Sequence, residues 1–522
     1  MNKIGYLCVT LLSNVVFSSP TPLGINLEGL RDWSRSLIFV DLIKSSRKFG
    51  NPQKPWEGEV RLGAEGWPTE DFGVIVFTNQ PGMKGEYSLS FNGDAEVKLV
   101  ASSATLRDKK WDKKSNLTTA TIDVRASANQ LMLSFTKTNG RVKNLKLLIP
   151  GYPINTKEIF NKDFLKIIEP FPVLRFMDLL STNSNETQKW EERAQKTDAL
   201  QTSSKGIAIE YVVELANRAK KDIWFNVPYL ADDNYVKNLA LLLRKDLRQE
   251  SKIYLELSNE IWNTIFKSHN QNKNAAEIDA KSPNSILRSE KEIPDLLHEE
   301  WNRVPKRLVE IIRIFEGVFG KDPTFSKVRP ILASQLANPF MLAKQLEFTQ
   351  KKLGPPKSFY YAIAGAPYFG VPGSAKSLPF VSLLDLEQML KNSVQSLTQK
   401  SFRLIKNWDG KPYTANFPTL ASHYELKYVA YEGGPNTSGE WELQTKIALN
   451  TSKAMGDLVD SFLKAWYGCG GDLFMYFNLS GAQSKSGSWG MYEDIHVPTA
   501  KSAAVLKILN TSLEDLRKNA CQ

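Results

Sequence analysis

Glu260 and Glu432 are the two side chains whose surroundings suit them best for chemistry. Glu260 follows an alternating apolar run, 253–257, and sits in Asn259-Glu260-Ile261-Trp262-Asn263. Glu432 closes a second apolar run, 427–431, and is followed by Gly433 and Gly434. A carboxyl at the end of each of two strands, far apart in sequence, is what glycosidic bond cleavage by a carboxylate pair needs. One carboxyl protonates the leaving oxygen while the other attacks the anomeric carbon or activates water. Asn259 stands beside Glu260 as an amide able to hold a sugar hydroxyl, and Trp262 offers a ring that stacks on a sugar face. Taken alone, a strand-end glutamate is more often a salt-bridge or capping group. Two of them in these settings favour catalysis.

Positioning such residues takes a scaffold that gathers strand ends. After residue 150 the pattern alternates between short apolar strands and amphipathic helices, with strands expected at 173–177, 223–227, 253–257, 328–333, 359–364, 428–431 and 472–477. Helical spacing appears at 209–220, 235–247, 301–319 and 445–467. With 23–27 as the first strand there are eight, each followed by a helical segment. The expected fold class is therefore α/β, a (β/α)8 TIM barrel. Residues 56–150 read differently, as short alternating strands separated by turns such as Asn92-Gly93-Asp94 and Asn139-Gly140. They predict an additional all-β sandwich or jelly-roll module over 51–150. The module is read as an insertion after the first barrel strand and its helix (20–50, helix at 37–49), with the barrel resuming over 151–522. A free N-terminal β domain ahead of a barrel that starts elsewhere is the alternative. A polar stretch at 267–300, after the fourth strand, is placed to cover one side of the mouth.

Active residues of such a barrel lie at the C-terminal strand ends. Those ends carry Arg175, Asp178 and Asn183 (second strand), Asn226 (third), Asn259, Glu260 and Trp262 (fourth), Tyr368 (sixth), Glu432 (seventh) and Trp489 (loop after the eighth). Simpler roles exist for several: Arg175 could pair with Asp178 or Glu210, Asn183 and Asn226 could form turns, and Trp262, Tyr368 and Trp489 could pack under loops. In its order of motifs the chain resembles clan A glycoside hydrolases, the (β/α)8 retaining glycosidases of cellulase, mannanase and arabinofuranosidase type. The resemblance covers about 370 residues, 151–522 plus the first strand. It implies that Asn259-Glu260 supplies the acid/base and Glu432 the nucleophile. It further implies that Arg175 steadies the nucleophile and that Tyr368 and Trp489 face the sugar. The clan often carries a histidine before its nucleophile or in the sixth-strand region, and here His423 lies well before Glu432, a departure from that pattern. On physical grounds Glu432 is expected to stay ionised beside Arg175 and Tyr368, and Glu260 to keep a proton beside Trp262.

Composition narrows the alternatives. The chain has 522 residues, 42% hydrophobic and 11% aromatic, with 67 basic against 56 acidic side chains and a net charge of +11. The densest basic run, 107–114, carries Trp111 and reads as a solvated loop, with contact to an acidic polymer as the alternative. No nucleic-acid-binding motif, paired metal-ligand spacing, nucleophile elbow or phosphate loop is present, so cofactor-free hydrolysis of a carbohydrate is the expected chemistry. Residues 1–19, with Lys3 before a mainly apolar stretch, read as a signal peptide and imply secretion. Sequons at Asn116, Asn185, Asn436, Asn450, Asn478 and Asn510 fit a glycoprotein, and no later segment is long enough to span a membrane. Cys469 and Cys521 remain after cleavage, with pairing open. Two functions follow: a secreted retaining glycoside hydrolase, or a carbohydrate-binding protein on a barrel that has lost catalysis. The sugar, the linkage and the oligomeric state are not legible.

Overall fold

The computed structural model describes residues 21–288, 296–378, 380–518 and 521. The expected signal peptide and residues 289–295 of the polar stretch lie outside them. Eight parallel strands close a barrel in the order β1-β8-β7-β6-β5-β4-β3-β2. They are β1 (Leu23–Asn26), β2 (Val173–Arg175), β3 (Asp222–Val227), β4 (Ile253–Leu257), β5 (Val328–Ala333), β6 (Ala362–Gly365), β7 (Lys427–Ala430) and β8 (Phe474–Tyr476). Helices follow β2 to β8, among them Ile209–Ala219, Asp233–Asp246 and Leu296–Phe319. The fold is the (β/α)8 barrel anticipated from the strand count.

Alternation along each strand sorts side chains between two cores. Ile253, Leu255 and Leu257 of β4 face the helix layer, while Tyr254 points into the barrel with Trp224, Ile331 and Val429. Further along the same inward phase, the barrel interior turns polar towards its C-terminal end. Asn26, Arg175, Asn226 and Glu256 are all buried there, with Asn26 opposite Arg175 and Asn226 opposite Glu256 in register. An apolar filling is the usual one for this layer. Here a hydrogen-bonded network takes its place and becomes the floor of the site.

Between β1 and β2 lies an antiparallel sandwich with its own core. One sheet joins Phe72–Thr78, Gln130–Thr136 and Glu96–Leu99; the other joins Ala104–Asp112, Leu117–Val124, Gly85–Asn92 and Lys143–Leu148. Alternation is complete in Leu117–Val124, where every second residue is buried. Trp67 belongs to this core, whereas Trp56 and Trp111 are exposed.

Two expected helices are corrected. Residues 37–49 form an extended connector containing only a 3-10 turn, Leu42–Ser45. Phe39 bridges to Phe160 and Asp41 to Leu148, and the Asp41 carboxylate accepts from the Ile43 and Leu147 amides. Pairing with the module thus wins over local helical spacing. Residues 445–467 divide into Leu443–Thr451 and Lys453–Gly468 at an extended Ser452, whose hydroxyl and amide both bond back to the Leu449 carbonyl. Cys469 and Cys521 form a disulfide that ties the end of the second helix to the C-terminal segment. Among the described residues no helix is long and apolar enough to cross a membrane.

Candidate active site

Arg175 is the hub. The inward phase of β2 places it at 0% exposure, and its guanidinium reaches four acceptors. One terminal nitrogen donates to Asn26 Oδ1 (3.0 Å) and Glu432 Oε2 (3.1 Å); the other donates to Glu256 Oε2 (2.9 Å) and Asn259 Oδ1 (2.9 Å). The Tyr431 and Trp224 rings flank it at 5.1 and 5.7 Å. Burial opposes its charge, and the attraction of Glu256 and Glu432 outweighs that and raises its pKa. Glu256 is held in turn by Trp224 Nε1 and Asn226 Nδ2, both at 2.7 Å.

Glu260 and Glu432 approach the same space from β4 and β7. The chain leaves β4 through two left-handed residues, Ser258 (φ +55°) and Glu260 (φ +43°), conformations that cost a non-glycine residue of order 1 kcal/mol each. The Ser258 amide is anchored on the Val227 carbonyl, and Glu260 is held at both oxygens. Oε1 accepts from the Tyr431 hydroxyl at 2.7 Å and Oε2 from Asn263 Nδ2 at 2.9 Å. After Glu432 the chain runs close to the barrel. A Cβ on Gly433 would lie 2.8 Å from both the Phe474 ring and the Pro367 carbonyl oxygen. Gly434, at φ +131°, then turns the backbone into a short strand, Gly434–Asn436, parallel to Tyr368–Gly370.

The Tyr368 hydroxyl meets Glu432; burial, then Glu432 and Glu260, push its pKa well above the ordinary phenol value. The same causes act on Tyr431, so both phenols remain donors. Glu432 is 6% exposed, and its carboxyl is pushed up to about 8. Burial is the largest cause; Arg175 opposes it, while Glu260, Asp178 and Glu256 add to it. This corrects the expectation that Arg175 and Tyr368 keep Glu432 ionised: burial instead outweighs Arg175 and raises its pKa. The Arg175 guanidinium is shared between Glu432 and Glu256, so it offsets only part of the effect of burial on Glu432.

The other expected residues are placed as follows. Asn259 is buried and reaches from Arg175 to Asn183, its Nδ2 donating to Asn183 Oδ1 at 3.1 Å. Trp262, half-buried, meets the Tyr431 ring edge-on at 6.3 Å. Trp489 packs on Phe477, which packs on Tyr368, and its buried Nε1 has no hydrogen-bond partner among the described residues. Asn226, expected at the substrate, is 1% exposed and braces Glu256 and the Ser258 carbonyl from below, a correction that follows from its inward phase on β3. Arg175 likewise supports carboxylates and is sealed from the cleft. His423 stacks edge-on with Trp408 and Tyr424 on the helix Phe417–His423, away from this constellation. The polar stretch supplies a helix, Lys267–Ala280, tied to the loop after β2 by Lys267–Glu186 at 2.8 Å. Glu256 and Tyr431 went unrecognised in the sequence. The signal for Glu256 was a charge in the inward phase of an otherwise apolar run; Tyr431 carried none beyond adjacency to Glu432.

Three more carboxyls near the rim or module junction are raised chiefly by burial: Glu28 to about 7, and Asp41 and Asp178 to about 6. With Glu432, these groups hold protons in the folded state that the unfolded chain releases above its ordinary carboxyl range. Stability from this source is complete below about pH 4 and is lost as pH rises through the folded values. Lys501, lowered to about 7 by burial, acts in the opposite sense at higher pH. The thermal midpoint is therefore expected to fall between pH 5 and 7, and Glu28→Gln to flatten that slope. Calorimetry across this range checks it, and a rising midpoint contradicts it.

No protein-family model and no curated protein matches the sequence. Among solved structures, the chain is similar to a GH5-4 broad-specificity endoglucanase from Clostridum cellulovorans at 11% identity, with 71% of this chain and 88% of that chain covered and a TM-score of 0.34. It is similar to the CBM22-1 and GH10 modules of an endo-1,4-beta-D-xylanase from Clostridium thermocellum at 8% identity, covering 92% and 97%, TM-score 0.32. A beta-glucosidase from Thermotoga maritima shows 11% identity over 67% and 86%, TM-score 0.33. The fold rests on the barrel's own topology, which needs no support from these distant likenesses.

Proposed function

We propose that the chain is a secreted retaining glycoside hydrolase acting on a polysaccharide or a glycoside derived from one. The observation that carries this reading is the arrangement of Glu260 and Glu432 past the C-terminal ends of β4 and β7, each with its own donors and both interacting with Tyr368. In the reactive form the pair's proton sits on Glu260, the more accessible carboxyl, and Glu432 is ionised against Arg175 and Tyr368. Glu432 attacks the anomeric carbon while Glu260 protonates the leaving oxygen. Glu260 then takes a proton from water, which displaces Glu432 from the sugar. The Arg175–Glu256–Asn26 network holds the nucleophile in place without touching substrate. Secretion is supported by the apolar N-terminal pattern and by the Cys469–Cys521 bridge, since disulfides persist in oxidising compartments. Of the sequons, Asn116 and Asn510 are exposed and suited to glycosylation, whereas Asn185, Asn450 and Asn478 are buried.

The test is the anomeric configuration of the first product. Aryl β-glycosides of several sugars are incubated with the protein and followed by proton NMR before mutarotation. Retention is expected. Inversion rejects the double displacement, and binding without any turnover across the panel rejects catalysis in favour of a carbohydrate-binding barrel.

A further inference from the structure

The short parallel pair Tyr368–Gly370 and Gly434–Asn436 carries the chain away from Glu432, and beside it lies a cavity of about 580 Å³. That volume falls within the ~300–1,000 Å³ of small-ligand sites. Its lining includes Tyr368, Lys376, Asn392, Asn436, Trp441 and Lys446. Tyr368 belongs to both places: its hydroxyl meets Glu432 and the residue lines this cavity. A half-buried indole with two amides is suited to one face and the hydroxyls of a sugar.

Charge is the distinguishing feature. Lys446 is 2% exposed, and its ammonium donates to the Ser438 and Gly439 carbonyls at 3.2 and 2.7 Å. Those bonds account for two of its three protons and for a role in holding the 436–442 turn. They do not neutralise it. Among the described residues no carboxylate lies within ion-pair distance of Lys446 or of Lys376. Burial and then the neighbouring Lys376 ammonium lower the Lys446 pKa, with Glu442 offsetting them only from beyond ion-pair distance. A buried ammonium normally has a carboxylate partner. Two lysines converging on one polar cavity without one are electrostatically incomplete until an anion enters.

We propose that this cavity is a subsite for an anionic sugar unit, its carboxylate or sulfate oxygens lying between Lys376 and Lys446 and its ring against Trp441. The substrate class of the hydrolase reading, on which this rests, is then an acidic glycan. A uronic acid and a sulfate ester present the same oxyanion chemistry.

Binding is measured by calorimetry at low ionic strength on Glu260→Gln protein, so that turnover plays no part. The probes are a β-1,4-mannuronate tetrasaccharide against mannotetraose, and a κ-carrageenan tetrasaccharide against its desulfated form. At least one anionic probe is expected to bind about tenfold tighter than its neutral counterpart, with the preference shrinking in high salt. Preference in the first pair assigns a uronate, and in the second a sulfate ester. Lys376→Gln, an exposed position that leaves the fold intact, is expected to remove about threefold or more of the preference, and Lys446→Met more. Equal binding within both pairs overturns the proposal, and so does a preference unchanged in Lys376→Gln. Anionic preference in a chain whose wild-type form never cleaves a glycoside leaves the subsite standing and rejects only the catalytic reading.

Discussion

Glu432→Gln is expected to lower kcat for any hydrolysed glycoside by about 10⁴-fold or more, because an amide cannot form the glycosyl bond. Glu260→Gln is expected to lower it by about 10²–10⁴-fold, the usual worth of a positioned acid/base. The two variants separate by leaving group. A 2,4-dinitrophenyl group departs without a proton, so the first step of Glu260→Gln recovers on that substrate while Glu432→Gln stays inactive. Steady-state and burst kinetics on 4-nitrophenyl and 2,4-dinitrophenyl glycosides provide the measurement. If the dinitrophenyl substrate rescues Glu432→Gln instead, the two roles are reversed. Unchanged turnover in both variants dismisses the pair altogether. Both substitutions preserve shape and keep a hydrogen-bonding side chain, so loss of fold is not the expected cause of their inactivity.

Arg175→Met is expected to destabilise the protein by about 3–5 kcal/mol, the usual cost of stripping one partner from a buried ion pair. Arg175 is fully buried and satisfies Glu256, Glu432, Asn26 and Asn259 at once, so its removal strips the buried Glu256 and Glu432 carboxyls of their shared cation. Arg175→Lys is expected to recover little, since a single ammonium cannot span four acceptors placed for a planar fork. Glu256→Gln keeps a hydrogen-bond acceptor for Arg175 and is expected to fall between wild type and Arg175→Met. Denaturant unfolding of the three variants gives the order. An Arg175→Met protein as stable as wild type shows that the network under the site is not structural.

Much of the barrel was legible because its information is local. Period-two alternation marks 253–257 as a strand, and glycine and asparagine punctuation separates the module strands. The strand count then determined which positions lie at the C-terminal rim, and so which of the many Asp and Glu residues were worth considering. Glu260 and Glu432 stand out on that basis, and the structure brings them to the same space as Arg175, Asn259 and Tyr368.

What only the tertiary structure decided depends on partners distant in sequence. Residues 37–49 have helical spacing, yet their backbone pairs with strands more than 100 residues away. Asn226 looks like a rim amide and is a buried brace beside Glu256, because its inward phase on β3 points it into the barrel. Glu256 and Tyr431 are ordinary strand residues until Arg175 and Glu260 are placed against them. The raised pKa of Glu432 has the same origin: its burial and the sharing of one guanidinium are properties of the assembled barrel. The sequence by itself determined the strand periods and the identities of the two rim glutamates, since backbone phase is set by neighbours along the chain. The tertiary structure decided which groups share charge, because electrostatic coupling follows distance in space.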